Sequence, residues 1–260
     1  MRKLSLDNGE YSLEILPDFA GALSALRWTA PSGQVFNLLR PASGEDLLSQ
    51  NSAGLSLLPL AAGEQPLTEP GRWMVQDASN IRATLTWQNG QDHEGGALSC
   101  QLLQRFELKP DGLRILLSLT NLGVKPLPAQ IALRLRPDWR GESRLRGDLA
   151  PVAANPGRLP GMAEFREGLA LGRDDRELCL GLHGPAIDFL WPEDHLALTL
   201  SFVSGLNFLF LEHHPQAGEI FLSPYSHMPG TPNTAPGFII LQQGDSLAAN
   251  LHLSARRLAQ

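Results

Sequence analysis

The chain has 260 residues, 43% of them hydrophobic and 18% charged, so it can bury a sizeable core. Lys plus Arg is 21 and Asp plus Glu is 27, a net charge of −6 that argues against a nucleic-acid binder with its basic patch. Two cysteines, Cys100 and Cys179, are too few for a disulfide scaffold or a Cys-only zinc site and fit a reducing compartment. Residues 1–10 hold two basic side chains with no signal-type apolar run behind them. No stretch reaches the ~18 uncharged apolar residues of a membrane span. The expected location is therefore the cytoplasm, with no membrane partner.

Short apolar or alternating runs between turn residues predict strands at 11–16, 22–29, 81–87, 98–108, 113–120, 129–135, 178–182, 186–190, 196–202, 207–211, 219–222, 237–242 and 247–254. Alternation is clearest in Arg82-Ala83-Thr84-Leu85-Thr86-Trp87 and in Ala249-Asn250-Leu251-His252-Leu253-Ser254, which predicts one buried face on each. Between two runs stands Lys109-Pro110-Asp111-Gly112, a hairpin turn in which Pro110 presets φ and Gly112 accepts φ > 0. Helix is scarce; residues 44–51 (GEDLLSQN) are the one short candidate. Pro-punctuated loops are expected at 61–71, 150–162 and 224–236. With 25 Gly and 20 Pro and no linker, charge block or repeat, the reading is all-β: one large antiparallel β-sandwich over 1–260.

No HExxH, GxSxG, Walker or GxGxxG pattern is present, so no metal and no cofactor are expected. Glu212-His213-His214-Pro215 gathers a carboxylate and two imidazoles, but adjacent strand residues point to opposite faces and cannot chelate together without a bend. Its plainer reading is a polar turn after a buried strand. His183 and His195 read as surface loop residues. Arg134 and Arg136 alternate with Leu133 and Leu135, so both guanidinia face one side of a strand and offer donors to an anionic or hydroxyl-rich ligand. Trp28, Trp73, Trp87, Trp139 and Trp191 can stack on sugar rings, although sheet aromatics more often belong to the core.

Taken in order, these segments resemble the galactose mutarotase (aldose 1-epimerase) family. Residues 11–16, Pro17, Gly21 and 22–29 are similar to its opening strand, turn and strand, and 55–60 (LSLLPL) to its "pLxPwxNR" element. Phe106-Glu107-Leu108, Asp111-Gly112-Leu113, Thr120-Asn121-Leu122-Gly123 and Pro126-Leu127-Pro128 match "ryeLxxdGLxi…vtNxgxxplP", the most specific stretch. Arg136-Pro137-Asp138-Trp139 falls where the family has "HPyF". Ser223-Pro224-Tyr225-Ser226-His227, followed by Asn233, falls at "EPxSH…N", and Gln243-Gly244-Asp245-Ser246 resembles the "PGes" turn. The resemblance implies a large twisted antiparallel β-sandwich of the galactose mutarotase-like type, with a sugar-binding groove across one sheet.

Mutarotation needs an acid and a base on opposite sides of the anomeric centre. The resemblance places these roles on the His of "HPyF" and the Glu of "EPxSH", which here are Arg136 and Ser223. Arginine stays protonated at working pH, and a serine without a basic partner takes up no proton. The family's "NR" pair falls at Ala62 and Gly63, its His-Gly loop has no counterpart between Pro59 and Trp73, and its hydroxyl-binding Asp corresponds to Glu177. The first expectation is therefore a carbohydrate-binding, aldose 1-epimerase-like protein, impaired or silent as a mutarotase. Arg134, Arg136, Trp139, Ser223, His227 and Trp73 are its candidate sugar contacts. The second is an active epimerase on an acidic or phosphorylated aldose, with an acid–base pair rebuilt from His227, Glu177, Glu212 or His213; His227 and Glu177 lead as catalytic candidates. The third is an interaction or structural β-sandwich with no sugar ligand. Fold alone does not choose among them.

Overall fold

The computed structural model describes residues 2–42, 73–89, 99–155, 159–228 and 238–259. The helix expected at 44–51, the motif at 55–60, Ala62, Gly63 and Asn233 lie outside the described residues. The first four strands, β1 (Leu4–Asp7), β2 (Tyr11–Leu16), β3 (Ala22–Thr29) and β4 (Val35–Leu39), pair in sequence as an antiparallel meander.

A larger antiparallel sheet follows. It contains β5 (Met74–Ala78), β6 (Arg82–Asn89), β7 (Cys100–Lys109), β8 (Gly112–Asn121), β10 (Arg144–Asn155), β11 (Leu169–Ala170), β12 (Arg176–Trp191), β13 (Leu196–Ser204) and β17 (Ser246–Arg257), in the order β11-β10-β12-β13-β17-β8-β7-β6-β5. Strands β9 (Leu127–Ala129) and β16 (Ile239–Leu241) make a separate two-stranded ribbon, and β14 (Phe208–His214) and β15 (Glu219–Tyr225) form a hairpin off β12. The β7–β8 hairpin has the predicted two-residue loop, with Lys109 opposite Gly112 and Gly112 at φ 144°.

One long strand and one unlabelled segment join the two layers. The N-terminal half of β12 pairs with β14 through Arg176–Gly181, and its C-terminal half pairs with β13 through Ala186–Trp191. Residues 131–137 run beside β15, with Leu135 and Leu222 exchanging amide–carbonyl bonds of 2.8 and 2.9 Å and Leu133 donating to Pro224 at 3.1 Å. On its other edge this segment meets β4, where the Arg40 amide donates to the Arg136 carbonyl at 2.8 Å. The second layer therefore reads β1-β2-β3-β4, residues 131–137, β15, β14, β12.

Alternation puts leucines between the layers. Leu102, Phe106, Leu108, Leu117, Leu133, Leu135, Leu178, Leu180, Leu209, Leu211 and Leu222 all belong to one buried apolar cluster. Burial of each such side chain contributes roughly 1.5–3 kcal/mol. Among the described residues, no helix is long and apolar enough to cross a membrane.

Three expectations change. Residues 150–155 continue β10, so the loop expected from 150 begins later; register shifts between Gly147 and Leu149 and between Pro151 and Ala153 absorb the turn-forming residues. His183 lies within β12, and His213 and His214 lie within β14. A six-residue helix, α1 (Met162–Glu167), stands where none was expected; the Glu164 carboxylate accepts from the Gly161 amide at 2.8 Å, and Gly168 ends the helix at φ 103°.

Candidate functional site

The face of the second layer turned away from the core collects the charged residues. Leu135 lies opposite Leu222, which sets Arg134 opposite Ser223 and Arg136 opposite Phe221. In β14, Phe210 faces Ser223 and Glu212 faces Phe221; in β12, Glu177 faces Glu212 and Cys179 faces Phe210. Side chains directly opposite on antiparallel strands share a face. Arg134, Arg136, Glu177, Cys179, Phe210, Glu212, Glu219, Phe221, Ser223 and Tyr225 therefore lie on one surface. Phe221 and Cys179 are buried yet stand outside the central apolar cluster, as this geometry requires.

Two ion pairs bracket an aromatic ring there. Arg134 Nη2 donates to Glu212 Oε1 at 3.2 Å, and its guanidinium carbon lies 3.7 Å from the Phe221 ring centroid. Arg136 Nη2 donates to Glu219 Oε1 at 2.6 Å, and its guanidinium carbon lies 5.7 Å from the same ring centroid. Arg136 is 1% exposed, whereas Glu219, Glu212 and Arg134 keep about a fifth of their side chains accessible. Each guanidinium thus spends part of its donor fork on a carboxylate and its π face on Phe221. Arg134 Nε is buried and has no hydrogen-bond partner among the described residues. Burial raises the Tyr225 pKa; the Glu212 charge raises it further and Arg134 opposes. Its phenol therefore stays protonated and can donate into the patch.

Of the expected site residues, the structure brings together Arg134, Arg136, Ser223 and Glu177, and leaves three elsewhere. Trp73 is 2% exposed within the core cluster, its amide donating to the Pro17 carbonyl at 3.0 Å. Trp139 packs on the core side at the end of the sandwich, 4.5 Å between ring centroids from His213. His227 lies beyond the end of β15, its Nδ1 3.0 Å from Ser226 Oγ and its carbonyl accepting from Gln130 at 2.8 Å. Burial lowers its pKa. At about 3.3 Å per residue and 4.8 Å per strand, the six residues from Phe221 and the two strand steps to Glu177 set His227 and Glu177 roughly 20 Å apart, too far to flank one anomeric carbon.

Glu219, Phe221 and Tyr225 escape the sequence reading, although Glu219-x-Phe221-x-Ser223-x-Tyr225 carries the period of two that marks one strand face. His213 is fully buried on the opposite, core-facing side of β14 from Glu212 and His214. Burial, with Arg176 and His214 adding to it, pushes its pKa down to about 4 against the opposing effects of Asp175 and the Leu171 carbonyl. Among the described residues, no group of three or more His, Cys, Asp or Glu side chains can hold a metal ion.

The layered sandwich, bridged by one shared long strand, defines the class of fold: a galactose mutarotase-like β-sandwich. No family model matches the sequence, and no curated protein sequence matches it. Solved structures do match over the full length. A galactose mutarotase-like protein from Clostridium acetobutylicum superposes with a TM-score of 0.81 at 14% identity, covering 98% of this chain and 95% of its own. Galactose 1-epimerase from Lactobacillus acidophilus gives 0.69 at 15% identity over 99% and 95%. An aldose epimerase homologue from C. elegans gives 0.72 at 14% identity over 99% of both chains.

Proposed function

We propose that the protein recognises a carbohydrate on the Arg134–Arg136–Phe221 face and does not catalyse mutarotation. The observation that carries this reading is Arg136. It occupies the position that the family resemblance assigns to the proton donor, is buried, and is held by Glu219 at 2.6 Å. Mutarotation needs a group that gives a proton to the ring oxygen and regains it, and a guanidinium paired with a carboxylate keeps its proton throughout. The matching base position is Ser223, whose neighbours directly across the sheet are Phe210 and Arg134; the imidazole that β14 carries on that face, His214, stands four residues from Phe210.

Charge supports a neutral ligand over an acidic one. Among the described residues, two guanidinium charges on the face, Arg134 and Arg136, meet three carboxylates, Glu177, Glu212 and Glu219, so a sugar phosphate gains no net attraction from them. Sugar hydroxyls both donate and accept, and suit a surface holding carboxylate oxygens, guanidinium N–H groups and a phenol. Exchange spectroscopy on the anomers of glucose, galactose and glucose 6-phosphate tests the catalytic half: the expected result is the buffer rate at high protein concentration. Thermal-shift titration with neutral and phosphorylated sugars tests the binding half, because a ligand of the folded state raises the midpoint. A neutral sugar that raises it further in the native protein than in Arg134→Ala is the expected outcome; indifference to a broad panel would leave a structural or interaction role.

A further inference from the structure

A cavity opens at the end of the sandwich, beside the β14–β15 turn that leads into Glu219. It has a volume of about 820 Å³ and lies among the residues that follow Trp139, the segment after β11 and the β14–β15 turn at Pro215 and Gln216. That volume falls within the roughly 300–1,000 Å³ of small-molecule sites. Its wall includes the indole of Trp139, which is only partly buried although it packs against the core and His213.

Two features set this cavity apart from a casual surface dent. Ser143 lines it and is 2% exposed, yet its hydroxyl has no hydrogen-bond partner among the described residues. An unmade hydrogen bond at a buried hydroxyl is costly, so such groups are few in native structures and call for an explanation. Rotation about one bond turns a serine hydroxyl toward a guest. The rim is the second feature. Glu142, Arg144, Arg173 and Glu193 form no ion pair with one another or with any other described residue, whereas Arg134, Arg136, Arg140, Arg146 and Arg166 are all paired.

We propose that this end cavity is a second ligand site that takes a neutral pyranose ring, its apolar C–H face against Trp139 and its hydroxyls on Ser143 and the mixed-charge rim. An anion entering the rim meets Glu142 and Glu193, and a cation meets Arg144 and Arg173. A polyol hydroxyl donates to the carboxylates and accepts from the guanidinia with no net charge to desolvate. The ring's C–H face covers the part of the indole that is otherwise exposed.

Methyl β-D-glucopyranoside, methyl β-D-galactopyranoside and methyl α-D-mannopyranoside are suitable probes, because methyl glycosides cannot change anomer and report binding alone. The readouts are ligand-observed saturation-transfer NMR and tryptophan fluorescence on the full chain. The site predicts saturable binding of at least one glycoside, transfer strongest at ring C–H protons, and at least tenfold weaker affinity in Ser143→Ala and in Glu142→Gln/Glu193→Gln. Ser143→Ala removes an unpartnered oxygen, so its unliganded melting midpoint stays level or rises, and lost binding cannot be ascribed to unfolding. All of these measurements are made in the Arg134→Ala background, which removes binding at the sheet face and leaves the end cavity as the site that is read. No saturation of that protein by any of the three glycosides at 50 mM overturns the proposal. So does binding in that background that Ser143→Ala leaves intact, or Ser143-dependent binding of citrate or glycine betaine stronger than that of every glycoside.

Discussion

Arg136 carries the largest energetic consequence of any single polar side chain on the sheet face. A guanidinium 1% exposed is tolerable because Glu219 meets it at 2.6 Å and Phe221 lies beside it. Glu219→Gln removes a charge that meets it and is expected to destabilise by about 3 kcal/mol, whereas Arg136→Met, similar in volume and apolar, costs much less. Urea denaturation of the two variants checks the order. His213 makes a second prediction. Its folded pKa of about 4 lies below the usual 6.5, so the unfolded chain binds more protons between those values. Stability is therefore full above pH 6.5, falls as pH drops through that window and levels off below about 4, a loss of about 3 kcal/mol from this residue. His213→Leu flattens that part of the pH–midpoint curve; an unchanged slope would show that another group titrates.

At the scale of strands and turns, local sequence signals held where one rule acted alone. Lys109-Pro110-Asp111-Gly112 made its hairpin because Pro and Gly there served only the turn, and Gly112 is indispensable on two counts. Its φ is 144°, and a Cβ would lie 2.1 Å from the Leu253 carbonyl oxygen. Gly112→Ala is expected to cost about 3 kcal/mol or more, while Gly9→Ala, at φ 87° with open space around it, costs only the roughly 1 kcal/mol of backbone strain. Comparing the two midpoints separates steric overlap from strain. The reading failed where Gly and Pro sit inside strands: Gly147 and Pro151 accompany irregular pairing in β10, and both break the alternation that announces a strand. Helix α1 was missed because six residues are too few to display a 3.6-residue period. On the candidate face, Arg134 and Arg136 were legible from their spacing. Their carboxylate partners are 78 and 83 residues away in sequence, a pairing that only the tertiary fold supplies.

At the scale of the molecule, a mutarotase-like sandwich persists at 14–15% identity to the solved structures that share it. The sandwich needs a period of two and apolar inward faces, a demand that many sequences satisfy. Proton transfer needs particular side chains at particular points, and at the positions that the resemblance assigns to it this chain holds Arg136 and Ser223. We propose that the sheet face is a recognition surface without an acid–base couple. Two-dimensional exchange NMR on equilibrated α- and β-anomers of glucose and galactose, at high protein concentration, tests this most directly. Cross-peaks no stronger than those in buffer are predicted. Enzyme-dependent exchange abolished by Glu177→Gln, Glu212→Gln or Tyr225→Phe would contradict it and reveal a rebuilt catalytic pair on that face.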